Sequence, residues 1–246
     1  MRFALLLIML LSTAMLSGCL YPEEERAGNR VPYEDQLAAV QKAVDQYRET
    51  ENGLLPIKTR DMSTPVYRKY PIDFNKLIPA YMQDAPGNSF ESGGIYQYVL
   101  INVETDPEVK LIDLQTAEYI RELKVNLNLH RKKHGYPPFS EVLANGRYTL
   151  DYEKLGYSSP PKVPSPFSDS FLPLIIDNKG EVFVDYRIDL NRKLQSGEYD
   201  FEYGDDIRSI LVEDSPFVPA FSVPYTIKDG EPVFLTEDAG NADKHK

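Results

Sequence analysis

The sequence predicts an α+β protein built from two to three helix-plus-β-hairpin units that pack into antiparallel sheets. Two long segments carry apolar residues at helical spacing. Short runs of β-branched and aromatic residues occur in pairs, and a turn sequence joins each pair, as is typical of hairpins. The same order of helix, short turn and paired strands then recurs along the chain, which favours a duplicated unit.

The first unit, residues 33–115, begins with a helix predicted at residues 33–50. Its apolar residues share one face at helical spacing: Leu37, Val40, Val44 and Tyr47. Asn52-Gly53 ends the helix, because glycine adopts the left-handed conformation at low cost. A short helical turn predicted at 73–77 precedes two strands, at 95–103 and 109–114.

The second unit, residues 116–236, begins with a helix predicted at 116–133, with Thr116 as its N-cap. Gly135 and Pro137-Pro138 end this helix, since proline cannot continue it. A short turn at 151–155 follows. Strands are then predicted at 171–176 and 182–188, on either side of a turn at residues 178–180.

A third, shorter half-unit closes the second unit. Ser215-Pro216-Phe217 and Gly230-Glu231 repeat Ser165-Pro166-Phe167 and Gly180-Glu181 at the same spacing. Alternating aromatic and acidic residues predict a strand at 199–203, and two acids cap a short helix at 207–212. The last hairpin pairs 222–227 with 233–235, and 237–246 is predicted to be a disordered tail. Chance recurrence of turn sequences in a β-rich chain is the alternative to duplication.

The N-terminal segment has the pattern of a secretory signal. Arg2 precedes an apolar run over residues 3–16, which is shorter than the ~20 apolar residues that a membrane-spanning helix needs. The sequence Leu16-Ser17-Gly18-Cys19 resembles the bacterial lipobox, which implies cleavage after residue 18 and a diacylglycerol on Cys19. We therefore expect a lipoprotein signal peptide at 1–18 and a lipidated tether at 19–32. An ordinary signal peptide that happens to contain a cysteine is the alternative.

The charge of the chain limits its partners. The 246 residues carry a formal net charge of −11. An acidic surface argues against nucleic acid, because phosphate binding needs basic residues, and against a polybasic membrane-binding face. Membrane attachment is then expected to depend on the lipid, since two acyl chains anchor stably. Cys19 is the only cysteine, so no disulfide forms within the chain.

Two histidines have the spacing of a metal pair. His130 and His134 lie four residues apart on the second helix, so both imidazoles reach the same side. The intervening Arg131, Lys132 and Lys133 would repel a cation. The simpler interpretation is a basic helix end that complements the C-terminal dipole.

An acidic cluster follows farther along the chain, at Glu198, Asp200, Glu202, Asp205 and Asp206. Several carboxylates could hold calcium, which prefers oxygen ligands. A solvated strand face followed by a helix cap is the alternative, and the sequence does not decide between them.

Aromatic residues suggest one further possible site. Five of them could line a groove for a glycan or peptide: Tyr96, Tyr98, Tyr199, Phe201 and Tyr203. A place in the sheet core is the alternative. The sequence contains no Gly-x-Ser-x-Gly motif and no glycine-rich phosphate loop. We therefore assign no catalytic, cofactor-binding or metal-binding residue and expect no enzymatic activity.

Two family resemblances bear on location and shape. The stretch from His130 to Pro137 is similar to the helix-and-turn region of pseudopilins, which implies only a helix-plus-sheet shape. The lipobox, the acidic tether and the length resemble the exported membrane lipoproteins of Bacillus and its relatives (YphF-like). This resemblance implies an anchored exported protein and no particular reaction.

Together these observations predict an extracytoplasmic lipoprotein, held at the cell membrane by diacylglycerol on Cys19. We expect a non-catalytic binding or interaction module with a protein partner at the cell surface. A solute-binding lipoprotein of a transporter is the alternative, and a cell-wall or metal-dependent hydrolase is the third possibility.

Overall fold

A computed structural model describes residues 33–236, and these form three successive units of helix, short helical turn and hairpin. Unit one comprises α1 (Tyr33–Thr50), α2 (Phe74–Leu77), β1 (Tyr96–Ile101) and β2 (Glu108–Asp113). Unit two comprises α3 (Leu114–His134), β3 (Phe139–Ala144), β4 (Arg147–Leu150), β5 (Val163–Pro164), β6 (Phe171–Leu172), β7 (Leu174–Asp177) and β8 (Val182–Val184). Unit three comprises α4 (Arg187–Ser196), β9 (Tyr225–Lys228) and β10 (Glu231–Phe234). The α+β class is confirmed.

The units repeat local hydrogen bonds as well as element order. An aspartate side chain accepts a backbone N–H at each short turn: Asp73 from Asn75 at 3.3 Å, Asp151 from Lys154 at 3.3 Å, and Asp206 from Arg208 at 3.2 Å. Each satisfies a donor that the start of a helical turn leaves unpaired. Both Ser-Pro-Phe sequences form the same turn, in which the serine hydroxyl accepts from the phenylalanine N–H.

Helix α1 has the predicted bounds, and its apolar face is buried at Val40, Ala43 and Val44. Gly53 has a φ of +85°, and its N–H donates to the carbonyl oxygen of Arg48 at 2.9 Å. This left-handed residue satisfies a carbonyl that the helix end would leave open.

Helix α3 begins two residues before the predicted start. Asp113, not Thr116, is the N-cap, and its Oδ1 accepts from the N–H of Gln115 at 2.8 Å. Thr116 lies inside the helix and is buried. The end at Gly135 is confirmed, with a φ of +87°.

The β3–β4 hairpin is absent from the sequence-based prediction. It extends the second unit into a four-stranded antiparallel sheet in the order β3-β4-β7-β8, and the other described strands form two-stranded sheets. Four of the six β3 residues are exposed, and register shifts interrupt its pairing with β4. An edge strand of this kind has no clear alternation of apolar and polar residues, so periodicity did not identify it.

Helix α4 replaces part of a predicted strand. The strand predicted at 182–188 ends at Val184, and α4 begins at Arg187. The third unit therefore has its own helix rather than being a half-unit. The strand predicted at 199–203 is wrong, because these residues pair with no described strand. Tyr199 and Phe201 stack on each other instead, with ring centroids 5.9 Å apart.

Three clusters of buried side chains hold the units together. One cluster fills unit one, between α1, α2 and the β1–β2 hairpin. A larger cluster is shared by units two and three. The third joins the β1–β2 hairpin to the segment after the short helix Ile207–Leu211, through Val99, Ile112, Val212 and Val218. Units one and three therefore pack directly, although unit two separates them in sequence.

Candidate functional site

The predicted lipidation residue, Cys19, lies outside the described residues, as do the signal peptide, the tether and the C-terminal tail. Within residues 33–236, no helix is both long and apolar enough to cross a membrane. The anchoring of the protein therefore stays a prediction from the sequence.

The histidine pair lies at the exposed end of α3. The rings of His130 and His134 stack, with centroids 4.3 Å apart. Desolvation lowers the pKa of His134, and the positive charges of His130 and Lys133 add to this. Each of the three disfavours the protonated imidazole of His134. Nδ1 of His130 lies 3.3 Å from the carbonyl oxygen of Lys154. Among the described residues, no group of three or more His, Cys, Asp or Glu side chains is placed to hold a metal.

The acidic cluster does not converge on one point. Asp206 caps the short helix and forms a fork with Arg208, whose Nε lies 2.9 Å from Oδ1. Asp205 accepts the N–H of Glu202 at 2.9 Å. Asp206 is therefore occupied by a guanidinium, which already supplies the positive charge that a calcium ion would bring.

The five aromatic residues belong to two separate regions. Tyr98 is buried in unit one and donates to Oδ1 of Asn88 at 2.7 Å, with Tyr96 packed against the same cluster. Tyr199 and Phe201 pack against the core of units two and three. The five residues form no common groove, and the core interpretation holds for Tyr96, Tyr98 and Tyr199. Phe201 and Tyr203 together line a groove beside the β9–β10 turn, and Tyr203 is 44% exposed.

A buried carboxylate that the sequence did not single out lies in α4. Asp189 accepts from the hydroxyls of Ser165 at 2.8 Å and Ser168 at 2.6 Å. Burial raises the pKa of Asp189, and the two hydroxyls oppose this shift. Both hydroxyls also accept backbone N–H groups of their own loop. The arrangement fixes the loop between β5 and β6 on α4, because both hydroxyls donate to Asp189.

A groove lies between α1 and the connection from β1 to β2, and we call it the α1 groove. Its volume is about 570 Å³. Its apolar lining comes from both elements: Leu37 and Ala38 of α1, and Pro107 and Val109 of the hairpin. Four carboxylates also line it: Glu34, Asp45, Asp106 and Glu108. All four acidic residues are exposed, while Pro107 and Val109 are buried, so the groove has an apolar base beneath acidic side chains.

Gln41 fixes the two sides of the α1 groove relative to each other. Its Oε1 accepts the N–H of Val109 at 2.7 Å, and its Nε2 donates to the carbonyl oxygen of Pro107 at 3.0 Å. The same Nε2 lies 2.9 Å from Oδ1 of Asp45. The Gln41 amide thus pairs with one backbone acceptor and one backbone donor of the hairpin. These bonds fix the distance between α1 and the hairpin, so the groove is preformed.

The electrostatic character of the α1 groove is acidic. Glu108 pairs with Lys110 at 2.5 Å, and Lys110 is itself buried behind the strand. Among the described residues, Glu34 and Asp106 form no ion pair. A ligand with positive charges and an apolar segment would complement both the acidic side chains and the apolar base of the α1 groove.

No local sequence pattern predicts the α1 groove. The helical spacing predicts only that Leu37 lies on the apolar face of α1. The available signal was Gln41, a polar side chain that follows directly after the buried Val40. Its partners are 66 and 68 residues away in sequence, so only the folded chain identifies its role.

Comparison with known proteins gives one match. Neither the curated proteins nor the solved structures yield a similar chain. Residues 33–113 match the family model described as the YphF family N-terminal domain. This segment spans unit one from α1 to β2, and the whole α1 groove lies within it. The match confirms the YphF-like resemblance of the chain over residues 33–113.

Proposed function

We propose that the protein is a lipid-anchored extracytoplasmic interaction module at the cell membrane surface, and that it binds a cationic protein segment in the α1 groove. The observation that carries this proposal is the pairing of an apolar base with exposed carboxylates in the family-matched segment. Anchoring rests on the lipobox resemblance at Cys19. No catalytic step is part of the proposal.

The geometry supports a peptide segment rather than a flat protein surface. The groove is bounded by a helix on one side and a hairpin connection on the other, and Gln41 fixes their separation. A preformed groove avoids the cost of ordering loops on binding. Apolar side chains of the guest would contact Leu37 and Val109, while lysine or arginine side chains would reach Glu34 and Asp106.

Site-specific crosslinking in cells tests the proposal. A photoreactive amino acid at the exposed Ala38 should give a discrete adduct with a partner protein. The same amino acid at the exposed Glu122 on α3 is the matched control and should give none. Replacing Glu34 and Asp106 with lysine should abolish the Ala38 adduct, because the guest is cationic. An adduct that survives this charge reversal would overturn the assignment of the groove.

Lipid attachment is tested separately. Labelled palmitate should appear on the protein and should disappear in the Cys19→Ala variant. Labelling that persists in this variant would contradict anchoring at Cys19, and it would leave the crosslinking result at Ala38 unaffected.

A further inference from the structure

A cluster of basic side chains with exposed apolar neighbours lies at the C-terminal end of α3, and we call it the α3 patch. Its cations are Lys132 and Lys133 on the helix and Lys154 on the short turn of unit two, and Leu129 and Tyr136 flank them, whereas Arg131 extends to the turn at Gly180. Leu129 is 61% exposed and Tyr136 is 65% exposed. The net charge of −11 argues against a basic membrane-binding face over the whole chain, and this patch is a local exception to that expectation.

Contacts between elements hold the α3 patch together. Leu129, Lys132, Lys133 and Tyr136 follow at spacings of three and four residues, so the helical ones share a face. The contact of His130 with the carbonyl oxygen of Lys154 brings the short turn against this end of the helix. Asp151 is hydrogen-bonded to Lys154 and is the main cause of the raised pKa of that lysine.

The neighbouring acids do not neutralise the helix cations. Asp151 is paired with Lys154 at 2.6 Å, and Glu181 is paired with Lys124 at 2.5 Å. Within residues 33–236, Arg131, Lys132 and Lys133 form no ion pair. The exposed charges of Lys132 and Lys133 therefore remain available beside the two exposed apolar side chains.

This combination fits the headgroup region of an anionic bilayer. Clustered lysine and arginine side chains are attracted to anionic lipids. A tyrosine ring has an apolar body and a polar tip, which suits the boundary between acyl chains and water. Leu129 supplies a second apolar contact. We propose that the α3 patch docks on the anionic phospholipid surface and so fixes the orientation of the domain on the membrane.

The inference rests on the proposed anchoring at Cys19, which brings the domain to the bilayer. Residues 19–32 would span at most roughly 50 Å when extended. A compact domain with as many residues as the described part has a radius of gyration of about 17 Å. The length of the extended tether exceeds the radius of the domain, so the anchor alone would not fix which face meets the bilayer. The α3 patch would face the lipid, and the acidic α1 groove would be repelled from it.

Tryptophan fluorescence can test this docking, because the chain contains no tryptophan. The full chain, lipidated in a bacterial host, carries Tyr136→Trp and is reconstituted in vesicles of phosphatidylcholine or of phosphatidylcholine with phosphatidylglycerol. Tyr203→Trp is the matched control, since Tyr203 is 44% exposed and lies beside Asp205 and Asp206. We expect a blue-shifted emission for Tyr136→Trp in the anionic vesicles alone, and no shift for Tyr203→Trp.

Charge variants sharpen the test. Lys132→Glu with Lys133→Glu, added to Tyr136→Trp, should remove the blue shift, whereas Lys42→Glu with Lys228→Glu should leave it. High salt should also remove the shift, because it screens exposed charges. Identical emission of Tyr136→Trp in both kinds of vesicle would overturn the proposal. Flotation with pure phosphatidylcholine vesicles reports the anchor alone, so its loss would count against anchoring and not against the patch.

Discussion

Lys110 of β2 donates from its Nζ to the carbonyl oxygen of Val212 at 2.8 Å, and so joins the first unit to the third. The same ammonium donates to the carbonyl oxygen of Ser215 at 2.9 Å and pairs with Glu108 at 2.5 Å. The Lys110 side chain is only 5% exposed. A buried charge is tolerated there because three oxygen atoms compensate for the water it lost.

Replacing this lysine should therefore weaken the contact between units. Lys110→Met keeps the apolar stem but leaves the carbonyl groups of Val212 and Ser215 without their donor, which should cost about 2–3 kcal/mol. Lys124→Met is the matched control, since its ion pair with Glu181 lies at the surface and should contribute less than about 1 kcal/mol. Urea unfolding would measure both. Equal losses for the two variants would contradict the role of Lys110.

A second buried contact lies within unit one. Tyr98→Phe removes the hydroxyl that donates to Asn88, whose Nδ2 already lacks a described partner. We expect a loss of about 1–2 kcal/mol in the free energy of unfolding, because the buried Oδ1 is then unpaired as well. Tyr136→Phe changes the same group at a 65% exposed ring and should have almost no effect. A neutral Tyr98→Phe variant would indicate that water replaces the bond.

The elements that sequence predicts well are those whose information is local. Helix α1 carries its apolar stripe and its Asn52-Gly53 end within one stretch, and both bounds are confirmed. Helix α4, by contrast, is not predicted. It has only ten residues, and its buried positions are Asp189 and Leu190. One buried carboxylate breaks the apolar stripe, and it is compatible with the core only because Ser165 and Ser168 come from another loop.

The candidate site depends on contacts that a linear pattern does not contain. The lipobox residues are adjacent in the chain, so the sequence alone predicts lipid attachment at Cys19. The α1 groove needs Gln41 to meet Pro107 and Val109, which are joined to it only by folding. The sequence groups the aromatic residues because they are alike, but folding separates them. Tyr98 lies in the core of unit one, and Phe201 packs against the core shared by units two and three.

The tight turn from Asn88 to Gly94 gives a third prediction. A Cβ atom at Gly94 would overlap the backbone carbonyl group of Asn88, while the Gly94 N–H donates to Ser89 at 2.7 Å. Gly94→Ala should therefore cost about 3 kcal/mol. Gly53→Ala is the control, because Gly53 has open space and only its φ of +85° opposes a side chain, so about 1 kcal/mol is expected. A smaller loss at Gly94 than at Gly53 would contradict the steric explanation.

Buried tyrosines should ionise at a higher pH than exposed ones. Burial raises the pKa of Tyr67, Tyr98 and Tyr152 to about 12, because the phenolate would lose its hydration. The unfolded chain releases these protons first, so it binds fewer protons than the folded chain between about pH 10 and 12. The free energy of unfolding should therefore fall as the pH rises through this range, by about 1–2 kcal/mol for each tyrosine. Near-ultraviolet absorbance of tyrosinate would measure the pKa values, and urea unfolding at each pH would measure the free energy of unfolding. The Tyr98→Phe variant should lose part of this dependence. Ionisation of all tyrosines near their ordinary pKa in a protein that stays folded would contradict the prediction.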